Sequence, residues 1–136
     1  MTRIIIDTNL LVAYMFNKKS AAAKILALSE KGRVRLMWHR KIMNEAELIT
    51  GKISKAAPRA AINLKNIFKK NNEIKNMPRI KGASRDPDDD KFLACAVAAH
   101  ADMIVSNDEH LLEIQSFRGI PIHTSARAIK ILSSRA

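Results

Sequence analysis

The chain has 136 residues, of which 47% are apolar and one is a cysteine, and its formal net charge is +11 at pH 7. This size fits one ordinary domain spanning 1–136, and the single Cys95 cannot form an intramolecular disulfide, which indicates a reducing compartment. No stretch approaches the roughly 18 apolar residues that a membrane span needs. The apolar run that begins at Ile4 is too short for a signal-peptide core, so a cytoplasmic location is expected.

The positive charge is concentrated in the middle of the chain. Residues 51–85 carry 10 basic side chains and 1 acidic one, whereas residues 86–136 carry 5 basic and 8 acidic side chains. A basic segment attracts a polyanion such as nucleic acid through counterion release. A solvated lysine-rich helix surface would have the same composition, so charge alone leaves both interpretations open.

Strand and helix patterns alternate in the first third of the chain. Arg3 to Ile6 predicts a short buried strand, and a polar turn leads from it into a helix. Ser20 is a candidate N-cap for a second helix, which Gly32 ends. Val34 to Trp38 predicts the second strand.

The middle of the chain is predicted to be mainly helical. Helical spacing returns from Arg40 to about Ile53. A further helix is predicted from Pro58 to Lys70, because proline suits a first helical turn. Asn71 to Ser84 is predicted to be a loop with one short extended piece near Ile74 or Ile80.

The clearest helix of the chain begins at Asp86-Pro87-Asp88, where Asp86 is the candidate N-cap and Pro87 fits the first turn. Two more strands, Met103 to Val105 and Ile120 to His123, and a closing helix from Ser125 to Leu132 follow. Alternating strands and helices predict a three-layer α/β/α fold with a central parallel sheet of four to five strands.

Acidic residues follow two of the predicted strands. Asp7 comes directly after the first strand and Asp108 follows the third, and parallel α/β sheets bind ligands at the carboxyl ends of their strands. Asp90 lies near the start of the helix that leads into the third strand and can point toward the same edge. Several carboxylates gathered there would repel one another unless cations neutralised them, and oxygen-rich acidic sites suit Mg²⁺ or Mn²⁺. Taken singly, each acid could instead be a helix cap.

The helix predicted after the second strand contains two further acids, Glu45 and Glu47. Both border its apolar face, which centres near Ala46, so helical periodicity separates them poorly.

At these residues the chain resembles a PIN-domain protein, of the kind that includes VapC-like toxins. Four motifs in the same order carry the resemblance, which covers nearly the whole chain. They are the opening strand and Asp-Thr-Asn turn at 4–12, the acid-rich helix start at 86–94, the strand and last acid at 101–108, and the final strand at 119–122.

The resemblance implies a metal-dependent ribonuclease in which four acids bind one or two Mg²⁺ or Mn²⁺ ions. Carried over by position, these acids are Asp7, Glu45, Asp90 and Asp108, and Asp88 is a possible extra ligand. Glu45 is preferred to Glu47 because the family places its acid inside an apolar-flanked helix. The resemblance also implies that Asn9 and Ser106 support the acids.

The expected substrate is single-stranded RNA, whose backbone basic residues of 52–85 would position. The resemblance further suggests a homodimer and the toxin role of a type II toxin–antitoxin system, whose small acidic antitoxin a +11 surface could bind. An RNA-processing nuclease without an antitoxin and a catalytically silent RNA-binding PIN module are the alternatives. A phospho-acceptor receiver domain is disfavoured, because Trp38-His39 stands where the acceptor aspartate should be.

Overall fold

Short β-branched runs alternate with longer helical segments and build a sheet flanked by helices. The computed structural model describes residues 1–135. The strands are β1 (Arg3–Ile6), β2 (Arg35–Leu36), β3 (Trp38–His39), β4 (Glu73–Ile74), β5 (Met103–Val105), β6 (Ser116–Phe117) and β7 (Ile120–His123). The helices are α1 (Asn9–Phe16), α2 (Ala21–Glu30), α3 (Arg40–Ala56), α4 (Leu64–Ile67), α5 (Asp90–Ala99), α6 (Glu109–Leu112) and α7 (Ser125–Arg135). Three short 3₁₀ turns lie at Pro58–Ala60, Lys70–Asn72 and Pro87–Asp89.

The main sheet has five strands in the order β2-β1-β5-β7-β6, and β6 is its only antiparallel member within residues 1–135. Strands β3 and β4 form a separate parallel pair. Parallel pairing requires helical crossovers, and α2 packs against α1 and α7 while α3 contacts α1 and α5. The predicted three-layer α/β/α fold with four to five strands is confirmed.

The register of the central strands determines which residues meet at the carboxyl edge of the sheet. Ile6 of β1 is paired with Val105 of β5, so Asp7 and Ser106 leave the sheet side by side. The Asp7 amide still donates to the Val105 carbonyl at 2.9 Å. The carboxyl end of β1 is therefore held rigidly where the chain turns into α1.

The local caps follow the sequence closely. The Ser20 hydroxyl accepts a hydrogen bond from the Ala23 amide at the start of α2, and Gly32 adopts a φ of +74° after its end. Asp86 accepts from the Asp88 amide, and the Pro87–Asp89 turn then continues into α5. Among residues 1–135, no helix combines the length and apolarity that crossing a bilayer demands.

Two predicted elements differ from the structure. The strand predicted over 34–38 is divided at Met37, because Leu36 pairs with β1 whereas Trp38 pairs with β4. The helix predicted over 58–70 is wrong. It is replaced by a 3₁₀ turn, an extended stretch and the short α4, where the Asn63 side chain accepts from the Lys65 amide. A side chain that bonds its own backbone in this way competes with a continuous helix.

Replacing Ile5 tests the central packing, since this side chain is fully buried in β1. We expect Ile5→Ala to lower the free energy of unfolding by about 2–5 kcal/mol and Ile5→Val by about 0.5–1.5 kcal/mol. Leu48→Ala is the control, because Leu48 is 60% exposed, and should change stability by less than about 0.5 kcal/mol. Urea denaturation monitored by circular dichroism measures all three. Similar losses for Ile5→Ala and Leu48→Ala would contradict this packing.

Candidate metal centre

Asp7 lies at the centre of the acidic edge and is almost completely buried, with 2% exposure. The Ser106 hydroxyl donates to Asp7 Oδ2 at 2.8 Å, and the Asn9 amide donates to Oδ1 at 3.1 Å. The register of β1 and β5 explains the first contact, because it places Asp7 beside Ser106. The Asp7 carboxylate is therefore fixed in orientation by two donors.

Asp108 is joined to Asp7 through the same serine. The Ser106 hydroxyl accepts from the Asp108 amide at 3.0 Å while it donates to Asp7. The Asp108 carboxylate accepts from the His110 amide at 3.2 Å and so caps α6. The helix cap predicted for a lone acid is therefore present at Asp108.

Glu45 reaches this edge from α3. One carboxylate oxygen accepts a short hydrogen bond from the Thr8 hydroxyl, and the other pairs with the Lys91 ammonium. The side chains of Lys91 and Glu45 are 15% and 28% exposed, so this ion pair is partly desolvated. Glu47 instead points outward, with 58% exposure, and lies 3.8 Å from Arg40. The two glutamates that periodicity could not separate therefore occupy different environments.

The start of α5 contributes Asp89 and Asp90, and their carboxylates have different partners. Asp90 accepts from the Gly82 amide at 3.0 Å and from the Ser84 amide at 2.9 Å, so both of its oxygens bind one loop. Asp89, the preceding residue, contacts the Asp108 carboxyl and lies close to the charge of Asp7. Asp89 therefore contacts Asp108, whereas the Asp90 carboxylate is bound to the loop.

A second group of potential ligands adjoins Asp89. One ligand atom from each of Asp86, Asp89 and His110 lies within 4.8 Å of the others. His110 Nδ1 is also 4.0 Å from Asp108 Oδ1. Asp89 is therefore shared between the acids at the sheet edge and a more exposed flank formed by Asp86 and His110.

Burial and mutual repulsion make this cluster unfavourable when every carboxyl is ionised. Desolvation raises the pKa of Asp7, and the charges of Asp108 and Glu45 raise it further, against the hydrogen bonds from Asn9 and Ser106. Burial raises the pKa of Asp89 to about 7, with additional contributions from Asp108, Asp7 and Asp86. Groups of this kind demand either protons or cations.

The donor set fits a hard divalent cation. Asp7, Asp89 and Asp108 offer carboxylate oxygens only, which are the ligands of Mg²⁺ and Mn²⁺. A cation among them would offset the burial and mutual repulsion that raise the pKa of Asp7 and Asp89. The observation that carries this fit is a buried group of like charges at the carboxyl edge of the sheet.

Only some of the site residues predicted from the sequence therefore lie together at the carboxyl edge of the sheet. Asp7 and Asp108 are each hydrogen-bonded to Ser106, and Glu45 lies close enough for its charge to raise the pKa of Asp7. Asn9 contributes its backbone amide. The other two predicted ligands are Asp88 and Asp90. Both line the neighbouring cleft.

Sequence reasoning missed Asp89, Asp86 and His110 as members of the cluster. The sequence predicts Asp86 only as a helix cap, which it is, and assigns Asp89 no part in the acidic site. The run of four acids within 86–90 offered the signal, because neighbouring residues at a helix start point about 100° apart and cannot share one environment. The direction of each side chain depends on the turn at Pro87–Asp89, which the sequence does not specify.

The sequence was compared with protein-family models, curated proteins and solved structures. The family model described as "PIN domain" matches residues 3–110, which include all four predicted acids and Asp89. No curated protein and no solved structure gave a significant match. The family match covers more than half of the chain.

Replacing Asp89 tests the electrostatics of the cluster. A carboxyl whose pKa rises from 3.8 to about 7 on folding binds its proton more tightly in the folded state, so it reduces stability progressively as pH rises through that window. In chelator, we expect Asp89→Asn to match the wild type near pH 4 and to exceed it by on the order of 2 kcal/mol at pH 8.

Chemical denaturation across this pH range measures the difference. Asp88→Asn is the matched control, because Asp88 is an exposed neighbour of the same charge. A wild type and an Asp89→Asn variant with parallel pH profiles would contradict the raised pKa.

Proposed function

Because this chain belongs to the PIN-domain family, we propose that it is a metal-dependent endoribonuclease that hydrolyses RNA phosphodiester bonds. PIN domains are generally nucleases that use divalent metal ions. The single observation that best supports the proposal is that Asp89 contacts Asp108 and lies near the charge of buried Asp7 at the carboxyl edge of the sheet. Such a site suits metal-assisted phosphoryl chemistry better than acid–base chemistry by isolated side chains.

The residues that would hold the metal are Asp7, Glu45, Asp90 and Asp108, and Asp89 is a further candidate because it contacts Asp108. The ion, Mg²⁺ or Mn²⁺, would supply an activated water and would stabilise the charge that develops on the phosphoryl group. Ser106 keeps Asp7 and Asp108 in fixed relative positions, and Thr8 does the same for Glu45. In this proposal no side chain acts as a nucleophile.

A finer role is also proposed, that of the toxin component of a type II toxin–antitoxin system. The observation in its favour is the net charge of +11, which suits binding of a small acidic antitoxin. An acidic protein encoded beside this chain that inhibits its RNA cleavage would support the role. An active nuclease that no neighbouring product inhibits would favour RNA processing instead. The homodimer implied by the family resemblance stays a prediction.

Asp7→Asn tests the nuclease proposal directly. Changes to groups that merely orient metal ligands cost about 10–100-fold, so loss of a direct oxygen donor should lower the cleavage rate at least about 100-fold. The assay is cleavage of end-labelled single-stranded RNA in Mn²⁺, Mg²⁺ or chelator. Glu30→Gln is the charge-matched control, because Glu30 is exposed at the far end of α2. Equal cleavage by wild type and Asp7→Asn would reveal a contaminant and sink the assignment.

Glu45→Gln and Glu47→Gln form a matched pair that identifies the acid contributed by α3. We expect Glu45→Gln to raise the Mn²⁺ concentration for half-maximal cleavage about tenfold or more, because Glu45 adjoins Asp7 and Thr8. Glu47→Gln should leave it unchanged, since Glu47 is exposed on the outer side of α3. Metal titrations of the initial rate give both values. The opposite ranking would move the acid of α3 to Glu47.

A further inference from the structure

A single lysine contacts the acids of the candidate metal centre. The carboxylates of this centre belong to Asp7, Glu45, Asp89, Asp90 and Asp108. Among residues 1–135, the only Lys or Arg nitrogen within 4.0 Å of any of these carboxylates is Lys91 Nζ. It pairs with Glu45 Oε2 where α5 packs against α3. The chain therefore supplies one positive charge of its own to the centre.

Three contacts define the position of the Lys91 ammonium. Besides its pair with Glu45, it donates to the Asp88 carbonyl and lies 4.7 Å from the centroid of the Phe92 ring. A cation over an aromatic ring is attracted by the electron-rich face of that ring. Phe92 is itself buried in the core, so the ring is a fixed neighbour. The fold thus holds the ammonium beside Glu45.

Both oxygens of the Glu45 carboxylate are bound by groups of this chain. The Thr8 hydroxyl donates to Oε1, and the Lys91 ammonium binds Oε2. A divalent cation that binds Glu45 directly has to share one of these oxygens. Sharing Oε2 brings two positive charges together at a partly desolvated position, where like charges repel more strongly than in bulk water. Metal binding at Glu45 and the Lys91–Glu45 pair therefore oppose each other.

A neighbouring cleft of about 880 Å³ gives the Lys91 side chain room to move away from Glu45. Lys91 and the exposed Asp88 both contribute to its lining. The lysine ammonium is carried on a flexible four-carbon stem, so it can turn into the cleft while the backbone of α5 stays in place. Displacement of Lys91 by a metal ion therefore requires only a change of side-chain rotamer.

We propose that Lys91 is a competing cation built into the metal centre, which weakens binding of the divalent ion at Glu45. The inference rests on the proposed function, because it concerns how tightly the proposed catalytic ion is held. Lys91 acts through Glu45, so it is a positioning residue and neither a metal ligand nor a catalytic residue. A centre weakened in this way exchanges its ion with solution, and its occupancy follows the metal concentration.

The first experiment measures the dissociation constant of Mn²⁺ alone for the full chain by isothermal titration calorimetry. Lys91→Met should tighten Mn²⁺ binding about tenfold, because it removes a unit charge that repels a divalent ion across one carboxylate. Lys91→Arg keeps the charge and should bind Mn²⁺ with nearly the wild-type affinity. The matched control is Lys41→Met, which should leave the dissociation constant unchanged. Lys41 is exposed, lines the same cleft and has no carboxylate within 4.0 Å among residues 1–135.

A double-mutant cycle tests whether Lys91 acts through Glu45. Glu45→Gln removes the charge that the ammonium and the metal ion share, so Lys91→Met should tighten Mn²⁺ binding much less in that background than in the wild type. Lys91→Gln keeps a neutral donor beside Glu45 and should also tighten binding. It replaces Lys91→Met if that variant does not fold.

Three results would overturn the inference. Unchanged or weaker Mn²⁺ binding in Lys91→Met or Lys91→Gln would make Lys91 a support for Glu45 rather than a competitor. Equal tightening in the wild-type and Glu45→Gln backgrounds, or equal effects of Lys91→Met and Lys41→Met, would reduce Lys91 to a distant charge. A wild-type protein that binds no Mn²⁺ would remove the metal centre and the inference together. A wild-type protein that gives the expected Mn²⁺ affinities but does not cleave RNA would overturn the proposed function alone.

Discussion

Burial of like charges at the carboxyl edge of the sheet is the constraint on which the rest of this structure depends. Asp7 and Asp89 are both less than a tenth exposed, and each has a raised pKa because water no longer solvates its charge. Few hydrogen-bond donors compensate the charge of Asp7: only the Asn9 amide and the Ser106 hydroxyl donate to its carboxylate among residues 1–135. Ser106 bridges Asp7 and Asp108, and its position is imposed by the parallel register of β1 and β5. Keeping these carboxylate oxygens close together therefore lowers stability locally.

The Lys91 ammonium partly relieves this constraint on the side of Glu45. This partly buried ion pair contributes little net stability, because desolvation of both partners offsets much of their attraction. Its effect on geometry is larger. Glu45 is held between Lys91 and the Thr8 hydroxyl, which immediately follows Asp7 in the chain. The acid of α3 is therefore kept beside β1 by groups that do not depend on a metal.

The sequence predicted the architecture well and the site less completely. Strand placement depends on apolar runs such as Arg3 to Ile6, which are local, and the chain order of strands and helices then limits the topology. The helix predicted over 58–70 failed because apolar spacing is preserved there while Asn63 ends one segment and caps the next. The antiparallel β6 was not predicted, because two residues carry too little pattern to indicate a strand.

The assignments within the 86–91 segment show where local reasoning ends. The side chains of consecutive residues at a helix start point about 100° apart around the helix axis. Asp89, Asp90 and Lys91 therefore point in three different directions. Asp89 faces Asp108, Asp90 faces the loop at Gly82 and Ser84, and Lys91 faces Glu45 on α3. Composition places all three charges at one helix start, but only tertiary contacts distribute them. Asp89 and the first turn of α5 thereby connect the acidic centre, the loop at Gly82 and Ser84, and helix α3, and a rotation of this helix start would disturb all three together.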